Sequence, residues 1–186
     1  RNGEQRFWAE FAASVVRIAA SDGAFDVTLE TRGIRCASDW VGLDDAPARV
    51  SGAANRVELA RTAGPAAVSE WYSNGPLGLE QGFTLSRSPC VKTEPELSIE
   101  IGIQGGATVA STDGKAVVVA GAGLGTPNLR IQDLYVHDAA GRMLPARFEA
   151  SGDRLAIRVG VLGAVWPVQV DPLVVTPEAK LLTGGA

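Results

Sequence analysis

A single histidine and two cysteines in 186 residues leave this chain little from which to build a metal centre or a nucleophilic site. Cys36 and Cys90 lack metal-ligand spacing, and neither has a second Cys or His within a short motif distance, which argues against zinc. Positive charge is also scarce and scattered. Seventeen Lys and Arg against 21 Asp and Glu give a net charge of −4, with a pI near 5.1. Phosphate binding needs clustered cations, so a nucleic-acid partner is not expected. The longest apolar run, around Ala116 to Ala122, is far shorter than the roughly 20 residues that a membrane-spanning helix requires. The chain opens at Arg1 without a charged-then-apolar leader and breaks off in mid-pattern at Leu181 to Ala186, so it reads as a piece of a longer protein.

What the chain does have is two-residue alternation. At 46% hydrophobic and 20% charged it has the composition of an ordinary globular protein. Leu155, Ile157, Val159 and Val161 alternate with Arg154, Ala156, Arg158 and Gly160; Leu97, Ile99, Ile101 and Ile103 alternate with Ser98, Glu100 and Gly102. Phe7 to Phe11 and Phe25 to Glu30 repeat the pattern, which puts one set of side chains in a core and the other in water. Further strands are expected at 56–61, 68–72, 83–86, 116–120, 134–137 and 147–150. Asn55 to Ala63 fits either period and is taken as strand. Turn clusters such as Ser111-Thr112-Asp113-Gly114 and Ser151-Gly152-Asp153 recur about every ten residues. The last strand pattern runs through Trp166 to Val174, and Pro172, which lacks a ladder donor, is expected to stop it.

The reading is an all-β, antiparallel β-sandwich of two packed β-lobes. The polar, proline-containing stretch 86–96 separates residues 1–90 from 91–175, and 176–186 begin a following repeat or a linker. In an exported protein Cys36 and Cys90 would form a long-range disulfide; otherwise they are two buried thiols.

Candidate chemistry is sparse. His137 stands beside Asp138, which could orient its imidazole, but no Ser or Cys in a nucleophile motif accompanies it. Asp44-Asp45, Glu94 with Glu96, and Asp113 are loop carboxylates of the solvated kind. Gly121 to Gly125 lacks the following helix that a phosphate loop needs. Trp71, Tyr72, Glu80 and Gln81 form the one candidate binding group. They read either as aromatics and glycines of a tight loop over the core, the preferred reading, or as a stacking platform for sugars or peptide. No metal, cofactor or catalytic residue is expected.

Ser69 to Leu85, with Glu70-Trp71-Tyr72, Asn74, Pro76, Gly78-Leu79-Glu80-Gln81-Gly82-Phe83-Thr84, resembles a segment of an N-terminal module of exported bacterial proteins that carry FG-GAP (integrin-α-like) β-propeller repeats. Trp166 to Val174 resembles that module's closing signature, Asp138 to Pro145 one of its hairpins, and Glu178-Ala179-Lys180-Leu181 the opening of the first propeller repeat. The likeness covers about residues 65–186, and Leu181 to Gly185 is less polar than the usual opening. No complete FG-GAP calcium loop is present, so calcium would belong to residues beyond Ala186. The resemblance implies an extracellular or cell-surface, non-catalytic module with a structural, adhesive or assembly role. Its partners would be the adjacent propeller, onto which its sheet surfaces and Trp166 to Val174 would dock, or other protein subunits. The alternatives are a carbohydrate-binding module using Trp71, Tyr72 or Trp40, and a hydrolase centred on His137.

Overall fold

Strands form wherever one face can be buried, and the described residues of this chain form fifteen. In the computed structural model, which describes residues 3, 6–12, 15–37, 39–43, 49–90, 94–111, 113–121 and 127–175, the strands are β1 (Phe7–Phe11), β2 (Val16–Ala20), β3 (Asp26–Cys36), β4 (Asp39–Gly42), β5 (Arg49–Ala53), β6 (Arg56–Ala63), β7 (Ala66–Gly75), β8 (Gly78–Leu85), β9 (Glu96–Gln104), β10 (Gly106–Ala110), β11 (Val117–Gly121), β12 (Pro127–Asp138), β13 (Ala146–Gly152), β14 (Arg154–Gly160) and β15 (Val168–Val175). No helix is present among the described residues, so none there is long and apolar enough to cross a membrane.

All the strands join one antiparallel sheet in the order β1-β2-β3-β9-β14-β13-β10-β11-β12-β15-β8-β7-β6-β5, with β4 paired to the end of β3. The strands of the second half, β9 to β15, are contiguous, and those of the first half flank them on both sides, through the β3–β9 and β8–β15 ladders. The sheet curls until its flanks touch. Phe11 of β1 meets Tyr72 of β7 with ring centroids 5.1 Å apart, and Leu43, just past β4, bridges Ala63 of β6. The inward faces thereby share one apolar core. Leu97, Ile99, Ile101 and Ile103 of β9 lie in it with Leu155, Ile157 and Val159 of β14 and Val168, Val170 and Val174 of β15. Burying each such side chain stabilises the fold by about 1.5–3 kcal/mol relative to exposure.

Two expectations need correction. Ser69 to Leu85 is not a loop over the core but the β7–β8 hairpin, paired from Val68–Leu85 to Gly75–Gly78. Two of its glycines, Gly78 and Gly82, serve close approaches inside the sheet: Gly78 has φ +150°, and a Cβ there would overlap the Val174 carbonyl oxygen. Pro172 does not stop β15, which continues to Val175. Both neighbouring ladders step over the proline, from Asp171 to Leu173 on β12 and from Val170 to Leu173 on β8, so its missing N–H falls at an irregularity. β15 is an interior strand held on both edges. Four strands, β2, β4, β5 and β10, go beyond those expected from the alternation; each has five residues or fewer.

Cys36, ending β3, is bonded to Cys90 in the connection after β8, with Cα atoms 5.6 Å apart. Such a bond belongs to an oxidising, non-cytoplasmic setting. Closing a loop of 54 residues confers about 4 kcal/mol in the chain-entropy picture. We therefore expect Cys36→Ala/Cys90→Ala, or reduction of the native chain, to lower the melting temperature by on the order of 10 °C. Thermal denaturation followed by circular dichroism, with and without reductant, measures this; coincident curves would contradict it.

Candidate functional site

The hairpin's alternation sorts the four candidate binding residues into two pairs on opposite faces. Tyr72 and Gln81 point inward and are 1% and 0% exposed. The Tyr72 hydroxyl donates to Glu70 Oε1 at 2.5 Å, while Gln81 Nε2 reaches both the Tyr72 oxygen (2.9 Å) and Glu70 Oε1 (3.2 Å). Arg61 of β6 completes the group, with Nη2 4.0 Å from Glu70 Oε2 and Nη1 donating to the Thr31 carbonyl across the curl at 3.3 Å. Burial first, and then the Glu70 carboxylate, push the Tyr72 phenol well above its ordinary range. This cluster therefore ties β3, β6, β7 and β8 together inside the core and cannot receive a ligand stacked on Tyr72.

Trp71 and Glu80 point outward. The Trp71 indole lies flat across Gly82, where any Cβ would overlap the ring, and the Arg56 guanidinium stacks over it 4.1 Å from a ring centroid. With both faces covered, Trp71 is 7% exposed and gives no open platform. Beside Gly82, β15 carries Asp171, whose pKa is pushed up to about 6, by burial first and then by the Glu80 charge, against the opposing influence of His137 and Arg56. The sole histidine thus acts electrostatically on Asp171 rather than being oriented by Asp138.

Asp138 is committed elsewhere. Its carboxylate accepts from the backbone N–H groups of Ala140 and Arg142 (3.0 Å each) and Val165 (3.2 Å), and from Arg142 Nε (3.2 Å). Burial alone would raise its pKa; those donors outweigh it and hold the carboxyl below its usual range. The Asp138 turn is thereby pinned to the loop leading into β15. Asp113 plays a similar part in its own turn, accepting from Ser111 Oγ at 2.6 Å and Lys115 N at 3.0 Å. Asp44-Asp45, residues 122–125 of the glycine-rich stretch, and Glu178 to Leu181 lie outside the described residues.

A second outward surface crosses β3, β9, β14 and β13. Glu100, buried at the centre, accepts from Ser98 Oγ (2.8 Å) and pairs with Arg35 Nε (3.5 Å) and Arg154 Nη2 (3.4 Å). Farther along, Arg147 and Arg158 share Glu96 and Glu149. Trp40 of β4 lies over Gly33, where a Cβ would come within 2.6 Å of its Cζ2, with the Arg35 guanidinium 5.3 Å from its ring centroid. Unlike Trp71 it is 47% exposed. Trp40, Arg32, Arg35, Arg154, Glu100 and Ile101 line a depression of about 130 Å³. Of these only Trp40 stands out in the sequence; the alternation of β9 and β14 marks Glu100 and Arg154 as outward-facing, but the pairing that joins them to β3 is long-range. Among the described residues no group of three His, Cys, Asp or Glu is placed to hold a metal ion.

No protein-family model matches this chain, and no curated protein matches it.

The outward patch yields two expectations. Asp171 has a raised pKa in the fold, so its contribution is favourable below the unfolded value near 4 and is lost as pH rises through about 6. Asp171→Asn should leave stability unchanged near pH 4 and raise it at pH 8 by about 1 kcal/mol, allowing for solvent screening of a half-exposed group; urea titrations at the two pH values test this, and equal effects at both would contradict it. Gly82→Ala should displace Trp71, shifting tryptophan emission to longer wavelength and lowering the melting point. An unaltered spectrum would show that the ring does not rest on Gly82.

Proposed function

We propose that the chain is a non-catalytic structural and interaction module of an exported or surface bacterial protein, preceding a β-propeller and serving adhesion or assembly. The observation that carries this reading is the disulfide-tied, curled sheet: Cys36–Cys90 and the buried Glu70 cluster fasten its flanks, and arginine–carboxylate pairs run across its outward face. That construction offers a stiff surface for contact. The proline-containing segment that resembles the module's ending forms an interior strand, so the residues after Val175 start from a base held on both sides. The docking surfaces for a propeller are then outward sheet faces together with the outward side of the segment from Trp166 to Val174.

The test uses the full-length protein. A protease site placed within residues 176–186 is cut, and the fragments are passed over a sizing column. The reading expects the module and the following domain to co-elute after cleavage and to be accessible to protease and amine-reactive labelling reagents on intact cells. Separate elution, or a module shielded within the cytoplasm, would count against it.

One observation favours a second reading, glycan binding. Trp40 presents an open ring beside three arginines and a carboxylate, the mixture of apolar face and polar donors that sugar recognition uses. Trp71 and Tyr72 take no part in it.

A further inference from the structure

We propose that the depression beneath Trp40 is a binding site for a carboxylated pyranose, that is, a uronate residue of an acidic saccharide. The inference rests on the glycan reading and names its ligand class.

Two glycines and a bulge build the site. β3 and β9 pair with an irregularity between Thr31 and Gly33, which leaves Arg32 as an extra residue. Bulges of this kind re-aim a side chain, and the Arg32 guanidinium here lies across Gly102 of β9, where any Cβ would overlap it. On the next pair, Gly33 opposite Glu100, the missing side chain makes room for the edge of the Trp40 ring. Trp40 and Arg32 thus lie low against the sheet on either side of Glu100, with Arg35 and Arg154 closing the remaining sides.

The donor set selects the ligand. Each guanidinium has five N–H donors in a planar fork that matches a carboxylate. Glu100 engages Arg35 through one N–H and Arg154 through another, and Arg32 meets the rim carboxylates Glu30 and Asp153 only at 3.7 and 3.9 Å. Donors therefore outnumber acceptors around the depression. Glu100 on the floor is an acceptor for hydroxyl groups, and its charge disfavours a doubly charged phosphate over a singly charged carboxylate. The Trp40 ring, 47% exposed with the Arg35 guanidinium 5.3 Å from its centroid, offers apolar surface for the C–H side of a pyranose. A volume near 130 Å³ accommodates a carboxylate with the adjoining ring atoms, the rest of the sugar lying over the indole.

The test is calorimetric titration of the 186-residue chain with trimers of galacturonate, glucuronate and mannuronate, each beside its methyl ester and the corresponding neutral trimer, and with inorganic phosphate. At least one uronate is expected to bind, with its ester and neutral counterpart weaker by about tenfold or more. Trp40→Ala and Arg32→Gln, both at exposed positions and checked for an unchanged melting temperature, should each lose about tenfold in affinity, while Arg56→Gln on the other outward patch should lose none. Neutral trimers or esters that bind as well as the acids overturn the uronate proposal and leave the glycan reading standing. Absence of binding by every saccharide overturns both. Phosphate that competes as well as the uronate, or binding that survives Trp40→Ala, reduces the site to a general anion patch and also overturns the proposal.

Discussion

A long antiparallel sheet has a physical problem at its two ends, where rows of N–H and C=O groups and half of an apolar face would meet water. Curling the sheet until its flanks touch resolves the second part, and the contacts at the seam determine everything else about this molecule. Apolar closure comes from Phe11 against Tyr72 and from the β9, β14 and β15 side chains of the shared core. Directional closure comes from the Glu70 group. Taking the Arg61 and Glu70 charges out of water costs several kcal/mol each, and their mutual attraction offsets this only with further hydrogen bonds. Tyr72 and Gln81 supply those bonds to the carboxylate, and the Thr31 carbonyl accepts one from Arg61 across the seam. An apolar replacement would be cheaper to bury, but it would not define which strand meets which. The disulfide acts on the same seam from the unfolded side, by removing freedom from the loop between β3 and the end of β8.

The same seam explains why the outward faces are where function is sought. Inside, alternate positions are spent on the core; outside, two of the patches they form are each organised around a large side chain laid on a glycine. Trp71 on Gly82 is covered by Arg56 and becomes part of the surface packing, whereas Trp40 on Gly33 keeps an open side. The difference lies in the neighbours. Trp71 sits among fully paired strands, β6 on one side and β8 on the other, while Trp40 is carried by a four-residue strand that, among the described residues, pairs with β3 alone. An edge position leaves the ring reachable, and the bulge at Arg32 brings a guanidinium to its side.

Much of the architecture is legible from period-two alternation alone. β9 and β14 are readable because successive Leu, Ile or Val positions alternate with polar or small ones, and no helix satisfies that spacing. β5 and β10 escape because Ala, Gly, Ser and Thr at their positions give too little contrast between faces, and β2 and β4 because their contrast spans too few residues, Val16 to Ile18 in one and four residues in all in the other. The Ser69 to Leu85 hairpin reads as a loop because its glycines look like turn residues, when Gly82 makes room for an indole and Gly78 for a neighbouring carbonyl. The candidate residues follow the same logic. Alternation alone separates Trp71 and Glu80 from Tyr72 and Gln81, but the partners that decide whether a ring is open, Arg56 for one and Gly33 for the other, are set by pairing register. The depression at Glu100 draws on β3, β4, β9 and β14, which span more than a hundred residues of chain, and no local pattern announces it.

The flanking strands and the block from β9 to β15 form one sheet closed by the Glu70 seam, and native-state hydrogen exchange with the disulfide intact tests this most directly. The amides of β6, β7 and β8 and those of β9, β14 and β15 should exchange through a single global opening, with equal free energies and the same denaturant dependence. Strands of the first half that open while β9 to β15 keep full protection would contradict it.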